Sequence, residues 1–340
     1  MIAAIKQQID RIKARGATYL DARYYPFEES NQLFMQNGNL KNASSSGESG
    51  VGVRVLYKGA WGFSASSDMS DLAGLFDRAF ENAKAAAERV TFPVRLAEKD
   101  AIQAQFASPC EINPFEIPLA DKVAFLKSMD DRMNQEGIFL RNTGLNFVRK
   151  QIIFIDSEGS EIEKLITEVF ASLEVDAMDT AGAMHERKFK LSQQGRATRG
   201  WESIDPVLFE ENAERIVREL KEMVTAEDCP KEDRSVIILP GMMYLQTHET
   251  IGHALELDRI LGYELAFAGG SFVTLDDFGK LRYGSEKLTA RANATVPNSP
   301  GSFGYDDDGI PAQDNLLIDK GILVGAITGR QMFEEANAKA

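Results

Sequence analysis

Cysteine and histidine are scarce in this sequence: its 340 residues include 2 Cys and 3 His. Cys110 and Cys229 stand far apart and neither belongs to a C-x-x-C pair, which excludes a disulfide framework and a dithiol redox centre. Positive charge is also short, with 38 Lys and Arg against 52 Asp and Glu and a net charge of −14. Phosphate neutralisation needs clustered cations, so no direct nucleic-acid contact is expected. No stretch approaches the ~18 consecutive apolar residues of a membrane helix. The first residues lack the apolar core of a secretory signal, and a cytoplasmic protein without membrane contact is expected. No G-x-S-x-G, cysteine-protease signature or phosphate-binding GxxxxGK[ST] occurs. Gly50-Val51-Gly52 sits inside an alternating strand pattern, where glycines allow close packing or a bulge and do not cradle phosphate.

What is present describes a globular chain. Hydrophobic residues make up 44% and charged residues 26%, and at about 150 residues per domain the length suggests two domains. Ile2, Ile5, Ile9 and Ile12 recur at helical spacing up to Gly16. Strands are expected over 19–27, 32–36 and 40–43 around a hairpin turn at Asn37-Gly38, then a flexible corner at 47–50 and a second hairpin at Lys58-Gly59. Asp68 or Ser70 should cap a helix that runs from Leu72 to about Arg89. A poorly patterned connection over 91–118 leads to a helix over 119–134 and to three strands at 137–148, 150–155 and 162–175. Asp205-Pro206 starts a further helix, and a buried-type strand over 235–239 should follow the domain boundary at Cys229-Pro230. The expected fold is α+β, with two domains of largely antiparallel or mixed sheets flanked by long helices. The domains are an N-terminal 1–229 and a C-terminal 230–340 that carries the motif described next.

Two of the three histidines, His248 and His253, stand in T-H-E-T-I-G-H-A-L-E-L-D with Glu249 directly after the first. Imidazole is the commonest metal ligand and an adjacent glutamate is the usual base for a metal-activated water. In H-E-x-x-H the histidines are four apart and share one helix face; here they are five apart, about 140° around a regular helix. One π-turn would realign them, and Thr250-Ile251-Gly252 is the expected place, because a β-branched pair disfavours regular helix slightly and Gly252 tolerates distorted dihedrals and a close backbone approach. Glu256 is placed to orient an imidazole from behind, or stands as a solvated carboxylate. His185, in M-H-E-R, has no second histidine nearby and reads as a packing or surface residue. Arg196, Arg199, Gly200 and Trp201 lie in an aperiodic stretch that is either a substrate-facing loop or a linker. Asp306-Asp307-Asp308-Gly309 lacks the ligand spacing of a calcium loop and reads as a turn.

The histidine motif, together with P-N-S-P-G-S-F-G-Y-D-D-D-G-I-P-A-Q at 297–313 and G-V-G-V-R-V at 50–55, resembles the TldD branch of the TldD/PmbA metalloproteases, often labelled modulators of DNA gyrase. The resemblance covers most of the chain and implies a zinc-dependent peptidase acting on short or unfolded peptides. His248 and His253 would bind Zn2+, Glu249 would serve as the base and Glu256 as a supporting carboxylate. It further implies a dimer, either a homodimer or a heterodimer with a PmbA-like subunit. The family's third ligand, a cysteine in a C-terminal segment, has no counterpart here, so a C-terminally truncated member is expected, and such a chain alone would be inactive. The competing expectation is a non-catalytic regulatory or peptide-binding subunit. Gyrase modulation ranks third, because the acidic residues are dispersed and do not mimic phosphates in register.

Overall fold

The computed structural model describes residues 1–194 and 197–339. Its first part is a seven-stranded sheet flanked by long helices. Helix α1 (Ile2–Ala14) buries Ile5, Ile9 and Ile12, the stripe anticipated from their spacing. Strands β1 (Tyr19–Gln36), β2 (Asn39–Tyr57) and β3 (Ala60–Ser66) form an antiparallel meander. Its turns are set by Asn37-Gly38 and Lys58-Gly59, all four at positive φ, as two-residue hairpin turns require. Helix α2 (Leu72–Ala87) follows, then β4 (Gln103–Ala107), α3 (Leu119–Met133), β5 (Leu140–Asp156), β6 (Glu161–Met178) and β7 (Met184–Lys190). The sheet order is β3-β2-β1-β5-β6-β4, with β7 also on β6; only β4 runs parallel to its neighbour. Helix α4 (Pro206–Met223) starts at an Asp205 cap and lays Phe209, Ala213, Ile216, Val217 and Leu220 into the core shared with α3 and β6. This is an α+β architecture with largely antiparallel sheets, as the element order implies.

Several local expectations are corrected. The corner at 47–50 does not exist, because β1 pairs with β2 through Glu29↔Gly47 and Tyr25↔Gly50, and that pairing keeps the glycines extended. The two strands expected over 137–155 are one, β5. The cap of α2 is Asp71, whose carboxylate accepts from Gly74 N–H, and neither Asp68 nor Ser70 fills that role. Within the unpatterned connection, β4 adds to the outer edge of β6, and its five residues carry too little periodicity to show in the sequence. No strand forms over 235–239: Val236 and Ile237 are 76% and 91% exposed, and a strand without an edge to pair with has no stability of its own. A short strand is also expected at 280–283 from its apolar alternation, but that stretch contributes only a single bridge, Arg282↔Ile322.

The second part is smaller. Helix α5 (Pro240–Thr247) leads through the histidine motif to α6 (Leu257–Leu261); β8 (Ala290–Asn293), β9 (Asp314–Asp319) and β10 (Ile322–Leu323) make a three-stranded sheet, and α7 (Arg330–Lys339) follows. Its core is Leu255, Val273, Leu317, Ile318 and Leu323.

The Asp306–Gly309 turn is one contact between the two parts; Arg330 of the second also donates to Ala97 O at 2.8 Å and to Glu158 at 2.9 Å in the first. Asp306 Oδ1 accepts from the N–H groups of Asp308 and Ile310 at 2.8 Å each, which makes this a backbone-organising turn. It lies on a patch of sheet cations: Arg54 donates to Asp308 at 2.8 Å, Arg23 to Asp307 O, and Lys164 to Tyr305 O at 3.2 Å. Gly309 sits at φ +76°, and a Cβ there would come 2.8 Å from Phe154 Cε1. Gly309→Ala is therefore expected to cost about 1–3 kcal/mol, read as a lower denaturation midpoint at unchanged slope. An unshifted midpoint would mean that the turn does not hold the two parts together.

Candidate metal centre

The motif helix solves the five-residue spacing with one π-helical turn, His248–Gly252, closed by a hydrogen bond from His253 N–H to His248 O. Its cause is local. The Thr250 hydroxyl takes the Gln246 carbonyl at 2.7 Å, the acceptor that Thr250 N–H would use in a regular helix. The carbonyl of Thr250 is in turn taken by the hydroxyl of Tyr283, from outside the helix. Gly252 plays a different part from the expected one: at φ −54° and ψ −70° it stays right-handed, and a Cβ there would stand 3.9 Å from His248 Nδ1. The β-branched Thr250 with its hydroxyl bond fits the expectation, whereas Gly252 adopts no conformation that requires glycine.

The consequence is that the imidazoles of His248 and His253 meet, with ring centroids 4.2 Å apart and planes at 76°. One ligand atom each of His248, Glu249 and His253 lies within 4.8 Å of the others. Two imidazoles and a carboxylate at that separation fit a divalent transition metal, zinc included. His253 Nδ1 lies 2.9 Å and 3.0 Å from the two oxygens of Glu256. Arg259 Nη2, which only donates, stands farther from Nδ1 at 3.2 Å; the two shorter contacts are to a carboxylate, which only accepts, and they favour the tautomer with the proton on Nδ1 and the Nε2 lone pair toward a ligand. Arg259 holds the same carboxylate, with Nε 2.7 Å from Glu256 Oε2, and is itself tied to Ala268 O at 2.9 Å. Neither Arg259 nor Tyr283 was visible as a site residue in the sequence; an Arg three residues after a Glu on a helix was the one available signal.

Beyond the turn, three residues of 3₁₀ helix place Leu255 in the small core, and Glu256 is extended and bridged to Ile327. The site is thus anchored behind His253 and open in front, where His248 and Glu249 are exposed. A groove of about 790 Å³ borders His248, walled by Met243, Tyr244, Ile251, Leu317 and Ile327.

Other sequence candidates lie elsewhere. His185 is on β7, with Nε2 2.9 Å from Asp179, and closes the β6–β7 turn. Trp201 packs on Phe125 and Phe147 in the core of the larger part, and Arg199 pairs with Glu111 at 3.2 Å. Arg196 lies outside the described residues. Both cysteines are exposed and unpaired.

Three sequence profiles match in order: PmbA/TldA metallopeptidase domain 1 over 24–87, central domain over 112–226, and C-terminal domain over 231–340. A metalloprotease of Methanocaldococcus jannaschii is 29% identical over 335 residues, covering 98% of this chain and 70% of the relative. A metalloprotease TldD homolog of Haemophilus influenzae is 26% identical over 330 residues, covering 93% of this chain and 64% of the relative. The chain thus spans about two thirds of its relatives' length. Two crystal structures share the fold. One, from Thermotoga maritima and described as a modulator of a DNA gyrase, has TM-score 0.74 at 14% identity over 99% of this chain and 73% of that one. The other, TldE from Thermococcus kodakarensis, has TM-score 0.65 at 16% identity over 97% and 72%.

Proposed function

Because this chain belongs to the PmbA/TldD family of metallopeptidases, we propose that it is the metal-bearing subunit of a zinc-dependent peptidase acting on short or unfolded peptides. The observation that carries this reading is the π-turn, which brings His248, Glu249 and His253 to one point. His248 and His253 would hold the ion through neutral imidazole nitrogens, with the Glu256 carboxylate fixing the second ring. A bound zinc supplies Lewis acidity, which polarises a peptide carbonyl and acidifies a water. Glu249, adjacent to both imidazoles and exposed, takes the proton of the attacking water and returns it to the leaving amine. The apolar groove beside His248 receives a side chain of the peptide and orients the bond to be cut.

A partner subunit, a second copy or a PmbA-like chain, would cover the apolar residues around the motif; Leu239, Met242 and Tyr244 are all exposed. That exposure also favours the competing reading, a peptide-binding subunit without chemistry. Metal content separates the two. Elemental analysis of untagged protein is expected to find stoichiometric zinc that is lost in His248→Ala and His253→Ala. Glu256→Gln should weaken metal affinity about 10–100-fold. Absence of metal from a protein supplied with zinc would overturn the peptidase reading for this chain.

A further inference from the structure

Far from the histidine motif in sequence, Lys122 in the first turn of α3 is buried, with only 2% of its surface exposed. A buried ammonium is ordinarily paired with a carboxylate. Among the described residues, Lys122 Nζ has one hydrogen-bond acceptor, Asn31 Oδ1 at 2.9 Å, and no ion-pair partner. Its other neighbours are two rings, Phe147 with its centroid 5.0 Å away and Phe115 at 6.0 Å. Burial without an opposing charge holds this lysine below the ordinary range. Two of the three ammonium protons are left without a protein acceptor.

The side chain lines a cavity of about 460 Å³ between the β1–β2 hairpin and the segment that enters α3. Other donors surround the same space. Asn31 donates to Ser45 Oγ at 3.0 Å, which fixes its amide with the carbonyl toward Lys122 and leaves the Ser45 hydroxyl proton free to donate. The N-cap of α3 is Pro118, which provides no side-chain cap, and the start of this 15-residue helix, which carries Asp121 in its first turn, borders the cavity at Leu119. Leu33, Phe115, Ile117 and Leu119 give the cavity apolar walls. The one acidic residue on the lining, Glu29, faces Arg149 at 3.9 Å.

We propose that this cavity is a binding site for a small carboxylate with an apolar body, whose carboxylate meets Lys122, Ser45 and the start of α3. One ammonium matches one negative charge, and Glu29 on the same lining disfavours a dianion. The site is independent of the metal centre and of the peptidase reading.

The test is a calorimetric titration of the full chain with phenylacetate, phenylacetamide and phenyl phosphate. Phenylacetate should bind saturably in the millimolar range or tighter, and the neutral amide at least about tenfold more weakly, since a charged hydrogen bond is lost. Lys122→Met should lose at least about tenfold. Asn31→Asp, which supplies an internal counter-charge and keeps the side-chain shape, should lose a similar factor. Equal binding of acid and amide, no saturable binding of phenylacetate, or binding untouched by both variants would overturn the proposal. Tighter binding of phenyl phosphate would overturn the carboxylate assignment.

Discussion

Glu249→Gln is expected to keep the bound metal while lowering peptide hydrolysis by about 10²–10⁴-fold, the usual contribution of a positioned general base. The substitution retains size and hydrogen-bonding capacity and removes only the ability to take a proton at neutral pH. Glu249 is exposed and directly follows His248 at the start of the π-turn, so its loss disturbs no packing. The measurement is turnover of an unstructured peptide by a preparation that has activity, with metal content determined on the same sample. Two outcomes would contradict the assignment. Full activity in the variant would mean that another group takes the proton. Loss of metal together with activity would make Glu249 the third ligand, a role its distance from both imidazoles also permits.

The largest expected effect on stability is at Asp21, which is fully buried in β1. Its carboxylate accepts from Arg54 Nη2 at 2.7 Å and Nε at 3.0 Å, a two-pronged pair across the β1–β2 register. Arg54 also reaches Asp308 and lies over Trp61, with its guanidinium 5.0 Å from the ring. Removing Asp21 leaves a half-buried guanidinium with one carboxylate. Asp21→Ala should therefore cost about 3–5 kcal/mol in chemical denaturation. Adding Arg54→Met should recover part of that loss, because it removes the guanidinium left behind, while Asp308 loses its Arg54 partner. Strictly additive losses in the double variant would show that the two residues act separately.

Helices and hairpins were legible in the sequence because their signals are local. The isoleucine stripe of α1, Asp205-Pro206 at the start of α4 and Asn37-Gly38 each act within a few residues, and each produced the element expected. The π-turn was legible for the same reason: two histidines five apart share a site only if one residue bulges. What could not be read were features that depend on distant chain. The strand β4 exists because β6 offers it an edge, and Gly47 stays extended because β1 continues past it. The expected strand over 235–239 failed for the converse reason, having apolar sequence but no edge to join. Within the site, Glu256 was visible as a carboxylate one turn beyond His253, whereas Tyr283, reaching Thr250 from 33 residues away, was not. Lys122 gave no sequence signal, since its isolation is a property of the packed state.

The order of strands in the large sheet also governs how the protein is made. Strand β1 is central, between β2 and β5, and its β5 register pairs Asp21 with Asp156 and Gln36 with Asn142. During synthesis β1 emerges early and zips at once with β2, but its other edge waits until more than a hundred further residues have left the ribosome. In that interval a long row of backbone donors and acceptors is open to the wrong partner, the condition under which nascent sheets stick to one another. Closing so large a loop before any contact rewards it also puts a loop-closure entropy cost on the β1–β5 pairing that the β1–β2 hairpin does not carry. The histidine motif is coded after the last strand of this sheet, so the long-range pairing precedes it in the order of synthesis.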